Sequence, residues 1–437
     1  MKLNRRAPLV VAVTVGAAFA TARISADRSA GATASLAAFA TARIEGGSSA
    51  AVRADQTAKA RAGQAATARA SAAKGRTAAP QVAKGTLTSA EECGRCHRDI
   101  YRYWKASLHA QAADDPRFQA AFTKLKEESN RADIDTLCLR CHAPALLHGQ
   151  DTRWERKVSW EGVTCDFCHS VRSVSADPKT PFVLDVGQTK SGPLRDAQPT
   201  VHGARYTDAF ASPMLCNPCH QFTNEKGLDV LSTYSEWQSS PYPAKSITCQ
   251  TCHMRSTSGK VVDPKVLRVA SSSVNLHEMP GGHSITELNR ALLAVISSAR
   301  RGNTVDVTVQ VSNRGAGHRL PTGSPLRTIV MVVQADNGTG KAQTATRTYG
   351  RVVVDENNQG ATDEATVWLR GARVVRDDRL APNERRIEKF SFPMPANTPV
   401  RSVAKFYYRY SQEAPSRAES GQPFLSVSSW LDAGAMK

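Results

Sequence analysis

Cys93-Gly94-Arg95-Cys96-His97 is the first of five Cys-x-x-Cys-His segments in this chain of 437 residues. The other four begin at Cys138, Cys165, Cys216 and Cys249. Together the five segments use all ten cysteines, and a histidine follows each pair although the chain has only 11 histidines. Chance placement of histidine after every pair has a probability on the order of 10⁻⁸. This repetition decides the fold of the first half of the chain, because each segment predicts a prosthetic group around which the chain must pack.

The repeated segment is the attachment signature of c-type haem. Each thiol bonds one vinyl group of the same porphyrin, and the adjacent histidine binds the iron. The predicted covalent ligands are Cys93, Cys96, Cys138, Cys141, Cys165, Cys168, Cys216, Cys219, Cys249 and Cys252, and the predicted proximal iron ligands are His97, His142, His169, His220 and His253. A zinc site or a redox dithiol needs no histidine in this fixed position, and a disulfide framework would compete for the same ten cysteines. The sequence therefore predicts five covalent haems of the c type.

The N-terminus has the pattern of an export signal. Lys2, Arg5 and Arg6 precede an uncharged stretch at 7–22, which is shorter than the ~20 apolar residues of a membrane span. Cleavage is expected after Ala18-Phe19-Ala20 or near Ile24-Ser25-Ala26, and the alternative is an uncleaved anchor. We expect a signal peptide at 1–24, then a disordered linker at 25–85 that is rich in Ala, Thr and Arg. Signal and haem motifs together predict a periplasmic, extracellular or cell-surface location.

The formal net charge of +18 does not indicate a nucleic-acid partner. Residues 1–90 contain 13 Lys and Arg and 3 Asp and Glu, so more than half of the excess lies in the predicted signal and linker. The haem propionates are expected to bring the rest of the molecule close to neutral. A near-neutral folded part offers no strong field for a phosphate backbone, so we expect no nucleic-acid partner.

Two domains are predicted after the linker. Residues 86–290 hold all five motifs, and their mainly helical and irregular pattern predicts little sheet, with helical pieces at 89–110 and 116–126. With about 40 residues per motif, the haems must supply much of the apolar interior. Residues 291–437 alternate with period two in about seven short segments, which predicts an all-β, immunoglobulin-like sandwich. The predicted strands lie at 304–311, 327–335, 351–355, 367–369 with 373–375, 389–392 and 403–410.

Six histidines stand outside the motifs and are candidates for the second axial position of five irons. They are His109, His148, His202, His277, His283 and His318. His277 and His283 flank a tight Pro-Gly-Gly turn, and His318 lies on a glycine-rich loop where a porphyrin can approach closely. We predict that His318 binds a haem iron, which would dock the β domain on the haem domain. His148, only six residues after its motif, is the expected spare.

Several blocks of this sequence resemble the cytochrome c554-type multihaem family, relatives of the hydroxylamine oxidoreductases. The blocks are the first motif with Ile100, Tyr101, Trp104, Ser107 and His109, the segment Trp160–His169, and the segment Tyr234–Tyr242 leading into Thr248–Met254. The resemblance implies a secreted protein with stacked, mostly bis-histidine haems, in which His109, His202, His277, His283 and His318 are the distal ligands. The chain departs from cytochrome c554 itself, which has four haems, because it has five motifs. The Cys-x-x-Cys-Lys signature of the active haem in pentahaem nitrite reductases is also missing here.

These observations predict an exported pentahaem electron-transfer protein without a catalytic residue of its own. Its partners would be other redox proteins, and membrane association would come only from an uncleaved N-terminus. Two alternatives stay open. One iron without a distal histidine would make the protein a reductase or oxidoreductase of a small nitrogen or oxygen compound, and a histidine supplied by a neighbouring copy would make it a subunit of a cytochrome filament.

Overall fold

The computed structural model describes residues 87–149, 151, 153–175, 177, 180–268, 272–340, 342–411 and 422–433. These residues belong to one compact unit. The predicted signal peptide and linker lie outside them. Within the described ranges, no helix combines the length and the apolar character needed to cross a bilayer.

Short helices dominate the first half of the described chain. They are α1 (Ala90–Gly94), α2 (Arg98–Lys105), α3 (Leu108–Gln111), α4 (Pro116–Glu128), α5 (Ile134–His142), α6 (Pro144–Gly149), α7 (Cys165–His169), α8 (Asn217–His220), α9 (Thr233–Gln238) and α10 (Cys249–His253), followed by α11 (Ile285–Ala291) and α12 (Glu364–Arg370). Single 3₁₀ turns lie at Lys157–Trp160, Asp208–Ala211, Pro213–Leu215 and Pro243–Lys245. Asp115 caps α4 by accepting the backbone N–H groups of Arg117 and Phe118, and Pro116 fills the first helical position. The predicted helical pieces at 89–110 and 116–126 are thus confirmed, the first as three helices.

The sheet in this half is limited to two-stranded ribbons. Its strands are β1 (Val171–Val174), β2 (Phe182–Leu184), β3 (Thr189–Gly192), β4 (Gly203–Tyr206), β5 (Gln221–Thr223), β6 (Asp229–Ser232), β7 (Ser256–Ser258) and β8 (Ser273–Asn275). They pair as β1-β2, β3-β4, β5-β6 and β7-β8, and only β3-β4 is parallel. Strands of three or four residues contribute little core of their own, which agrees with the predicted dependence on prosthetic groups.

Antiparallel strands make up most of the second half. They are β9 (Leu292–Arg301), β10 (Thr304–Asn313), β11 (Thr328–Asp336), β12 (Gln343–Tyr349), β13 (Arg351–Val354), β14 (Arg373–Asp377), β15 (Arg385–Pro393), β16 (Val400–Arg409) and β17 (Leu425–Leu431). One sheet has the order β15-β10-β9, a second has the order β12-β11-β16-β17, and β13 pairs with β14. The first two sheets share one hydrophobic core. Alternate residues of β10, such as Val307 and Val309, are fully buried in it and pack with Met331 of β11 and Phe406 of β16. The immunoglobulin-like topology stays a prediction.

The predicted strand pattern was wrong at one segment and left out three strands, β9, β12 and β17. The segment 367–369 belongs to helix α12, because Asp363 caps the helix through the Thr366 amide and Ala365 and Val367 share its buried side. The strand β9 was not predicted, since its opening run Leu-Leu-Ala-Val-Ile is apolar on both faces and shows no alternation.

The two halves of the described chain pack directly on each other. Ala365 of α12 joins the hydrophobic core formed by α4 and α5. Val230 of β6 and Val367 of α12 belong to another shared core, beside which the rings of Phe222 and Trp368 stack at 4.6 Å. Helix α12 is therefore held close to α5, which carries the second motif, and to β5 and β6, which follow the fourth motif.

Candidate haem sites

Each Cys-x-x-Cys-His segment lies on or beside one helical turn. The third and fifth motifs form helices α7 and α10. The second motif ends α5, the fourth includes α8, and the first spans the end of α1 and the residue before α2. Residues three and four apart share a helix face, so one turn presents both thiols and the histidine to the same side. None of the ten cysteines forms a disulfide in this structure.

Backbone carbonyls orient four of the five proximal histidines. The Nδ1 atom of His97 lies 2.6 Å from the Val261 oxygen, and that of His142 lies 3.0 Å from the Ala112 oxygen. His169 and His253 make the same contact with Ser191 and Pro280, both at 2.7 Å. A carbonyl only accepts, so Nδ1 carries the proton and Nε2 keeps its lone pair for a metal. These side chains therefore fit a haem iron as axial ligands.

Three proximal histidines face a second imidazole at the spacing of a six-coordinate iron. Two imidazoles on opposite sides of one metal, each with a metal–nitrogen bond of about 2 Å, have ring centroids about 6 Å apart. The observed separations are 6.2 Å for His97 and His202, 6.0 Å for His220 and His109, and 6.3 Å for His253 and His318. The predicted distal histidines His202, His109 and His318 are thus brought to the first, fourth and fifth motifs respectively.

Three of the predicted distal histidines make the same Nδ1–carbonyl contact as the proximal histidines. Nδ1 of His202 contacts the Gly203 oxygen at 2.9 Å, and Nδ1 of His318 contacts the Arg319 oxygen at 2.9 Å. Nδ1 of His277 contacts the Asn275 oxygen at 2.7 Å. The Nε2 atom of His283 is buried without a hydrogen-bond partner. An unpaired buried nitrogen is costly, and a metal bond would remove that cost.

The second and third motifs have different surroundings. The ring of His142 stacks on Phe118 with centroids 3.9 Å apart and planes inclined by 2°. The ring of His169 stacks on Phe210 with centroids 5.2 Å apart. The nearby imidazole of His277 contributes to the lowered pKa of His169. His148, the predicted spare, stacks on Phe167 inside the third motif at 5.6 Å.

Burial keeps several of these imidazoles neutral. Burial lowers the pKa of His109 to about 3, and the nearby His220 imidazole adds to the shift. Burial also lowers the pKa of His169 and of His220 to about 4. Since only the unprotonated nitrogen binds a metal, these environments favour ligation.

Contacts between cysteines of different motifs give the spatial order of the attachment sites. A hydrogen bond from the Cys165 thiol lowers the pKa of Cys93, which places the third motif beside the first. Hydrogen bonds likewise connect Cys141 with Cys219 and Cys249 with Cys216, so the fourth motif adjoins both the second and the fifth. Cys168 lies near enough to both cysteines of the fourth motif to contribute to the raised pKa of each, which brings the third motif close to the fourth.

Two ligand-bearing loops pack across the boundary between the halves. A Cβ at Gly317, beside His318, would lie 3.1 Å from Tyr242 and 3.2 Å from Trp237 in the segment before the fifth motif. A Cβ at Gly282, beside His283, would meet the ring and hydroxyl of Tyr408 in β16. Glycine permits the close approach of both loops to these side chains.

Sequence reasoning missed the side chains and carbonyls that surround the ligands. Phe118 against His142 could not be anticipated, because nothing in α4 distinguishes that residue from an ordinary core phenylalanine. Glu236 is buried and accepts hydrogen bonds from the loop that carries His318. It lies within the Tyr234–Tyr242 block that carries the family resemblance, which was the one available signal.

Two comparisons with known proteins match multihaem c-type cytochromes. Residues 92–170, which include the first three motifs, match the family model described as cytochrome c554 and c-prime. The chain is similar in fold to the penta-heme cytochrome c552 from Thermochromatium tepidum, with 20% identity and a TM-score of 0.62 over 79% of this chain and 99% of that chain. The predicted resemblance to multihaem c-type cytochromes is confirmed.

Two further solved structures match smaller parts of the chain. They are the putative ApaA protein from Bordetella pertussis (13% identity, 33% of this chain, 94% of that chain, TM-score 0.18) and a CARDB domain from Pyrococcus furiosus (14% identity, 32% of this chain, 85% of that chain, TM-score 0.15). No curated protein matches the chain.

Proposed function

We propose that this multihaem c-type cytochrome is an exported electron carrier with five covalent haems, most of them ligated by two histidines. Support comes chiefly from the three imidazole pairs, whose centroid separations of 6.0 to 6.3 Å suit six-coordinate irons. When bound, each haem supplies a centre that takes up and releases one electron. The chain positions these centres, fills their axial positions and excludes water, which together tune the potentials.

The contacts between motifs support a branched order of redox centres. In this proposal the first attachment site neighbours the third, the third neighbours the fourth, and the fourth neighbours both the second and the fifth. Electrons would enter and leave through sites at the ends of this order, where soluble redox proteins dock. We further propose that His277 completes the third site and that His283 is an axial ligand, because its Nε2 atom is buried and unpaired.

Low-temperature EPR of the oxidised protein tests the proposal. A carrier of this design should show low-spin ferric signals that account for nearly all of its iron. Mass spectrometry of the same sample should give the mass of the processed chain plus five haems. A protein with fewer haems, or one in which most irons are high-spin, would contradict the proposal. A high-spin signal that disappears on self-association would instead favour the filament.

A second candidate function concerns the iron of the second motif. The rings of His97, His220 and His253 each lie 6.0 to 6.3 Å from a second histidine ring, whereas the ring of His142 stacks on Phe118. This difference favours an open sixth position at that site, where a small nitrogen or oxygen compound would bind and be reduced. A high-spin EPR signal that is lost on addition of nitric oxide would support this candidate. The absence of such a signal would exclude this candidate.

A further inference from the structure

Glu236 of α9 is an acidic residue whose side chain is buried among hydrogen-bond donors. Its side chain is only 7% exposed, and its carboxylate takes part in four hydrogen bonds. A buried carboxylate with four donors is held rigidly in place and is costly to disturb. Glu236 lies outside the cysteine motifs and is not itself an expected iron ligand.

Two of the four donors come from the loop that carries His318. Oε2 of Glu236 accepts from the backbone N–H of Arg319 at 3.1 Å and from the hydroxyl of Thr322 at 2.7 Å. Arg319 follows His318 directly, and its carbonyl contacts Nδ1 of the His318 ring at 2.9 Å. The side-chain amide of Asn313 donates to the His318 carbonyl at 2.9 Å. The backbone around His318 is therefore fixed on both sides.

The other two donors fix the carboxylate itself. Oε1 of Glu236 accepts from the Ser232 hydroxyl at 2.7 Å and from Nη1 of Arg379 at 2.6 Å. Arg379 is 6% exposed and also binds both carboxylate oxygens of Asp377, at 2.9 and 2.8 Å. The Glu236–Arg379 pair thus joins the haem region to the β region next to the fifth motif.

We propose that Glu236 is a positioning residue that holds the His318 ring opposite His253 and so keeps the sixth position of the fifth iron filled. This inference rests on the proposed ligation by His318. The two rings are inclined by 13° at a separation of 6.3 Å, so a modest displacement of the loop would break an iron–nitrogen bond. The amide in Glu236→Gln would place an N–H group opposite donors from which the carboxylate now accepts. The hydrogen bonds that hold the loop would then be lost.

The test compares Glu236→Gln with Glu388→Gln in the haem-loaded protein. Glu388 is a matched control: it is 4% exposed and accepts from Arg347 at 2.9 Å and from the Tyr349 hydroxyl at 3.3 Å, within the β region. Reduced samples are titrated with carbon monoxide, which binds only an iron with a free sixth position. For E236Q we expect about one more carbon monoxide bound per chain than in the wild type, with loss of one low-spin EPR signal. For E388Q we expect the wild-type values.

A third variant, His318→Ala, distinguishes failure of the proposed ligation by His318 from failure of the proposed positioning role of Glu236. If H318A binds no more carbon monoxide than the wild type, the ligation by His318 is wrong. If H318A gains a reactive haem and E236Q does not, the ligation stands and the positioning role of Glu236 is overturned.

Thr322→Val provides the same information should E236Q fail to accumulate as a folded protein. It removes one donor to the carboxylate and keeps the buried charge pair. The positioning role is supported if T322V shows partial carbon monoxide binding at an additional haem and Thr322→Ser returns carbon monoxide binding to the wild-type level. An unreactive T322V overturns it.

Discussion

The imidazoles of His253 and His318 lie nearly parallel, with centroids 6.3 Å apart and planes inclined by 13°. One belongs to the fifth cysteine motif, and the other belongs to a loop between strands β10 and β11. The β region, which has no cysteines, therefore extends a loop toward the half of the molecule that holds the cysteine motifs. If the proposed ligation is correct, the β region is part of the haem site and not an appended module.

Replacement of His318 by Ala should convert one haem from low-spin to high-spin in the oxidised protein. The proximal His253 would remain, so the covalent attachment and the haem count should not change. EPR spin quantification measures the effect, and His148→Ala is the control because that ring stacks on Phe167. An H148A protein that loses a low-spin signal would show that the spare histidine had been misidentified.

Replacement of Phe118 by Ala should destabilise the protein by about 3–5 kcal/mol. It should also change the EPR signal of the second site, because the Phe118 ring stacks on His142 at 3.9 Å. The control is Phe122→Ala, since Phe122 is buried in the same core and stacks on Phe118 rather than on the histidine. Denaturant titration should give similar losses for both variants. Equal EPR changes in both would contradict a specific role of Phe118.

Replacement of Gly315 by Ala should prevent correct assembly around the fifth site. A Cβ at this position would overlap the backbone carbonyl oxygen of Arg290, which cannot move without displacing the end of α11. We expect a lower yield of folded protein and a carbon monoxide-reactive haem. Gly360→Ala is the control, because nothing lies within 4 Å of a Cβ there. Normal carbon monoxide titration of G315A would refute this expectation.

The stability of the protein should fall as the pH rises from 10 to 12, partly because of Tyr408. Burial raises the pKa of this half-buried phenol to about 12, from an ordinary value of 10. The unfolded chain therefore loses the proton first, which favours unfolding at alkaline pH. The contribution of this one group is on the order of 1 to 2 kcal/mol. Tyr408→Phe should lose less stability than the wild type over this pH range in denaturant titrations, and identical pH profiles would exclude the effect.

The sequence was informative where the chemistry is local. The five motifs fix both thiols and the proximal histidine within one helical turn, so those residues could be read directly. The alternation of β10 likewise predicted its buried face. The distal partners could be proposed as a group, but their pairing could not be predicted, because His109 and His220 come from distant segments. Local patterns carry no information on such pairing.

Other features escaped prediction for specific physical reasons. The segment 367–369 resembles a strand in isolation, but the Asp363 cap and the packing of α12 on α4 make it helical. The role of Glu236 depends on donors from Arg319, Thr322 and Arg379, which only the folded chain brings together. The neighbouring motifs could not be ordered either, since spacing along the chain does not report which cysteines meet.

The three histidine pairs also bear on the entropy of the unfolded chain. Each pair joins segments separated by roughly 65 to 110 residues, and bridging them through one metal would close a loop of that size. Closing such loops restricts the denatured ensemble much as a disulfide does. A chain whose cysteines form no disulfides would thus gain long-range cross-links through its axial ligands, and its folding would be inseparable from the loading of its irons.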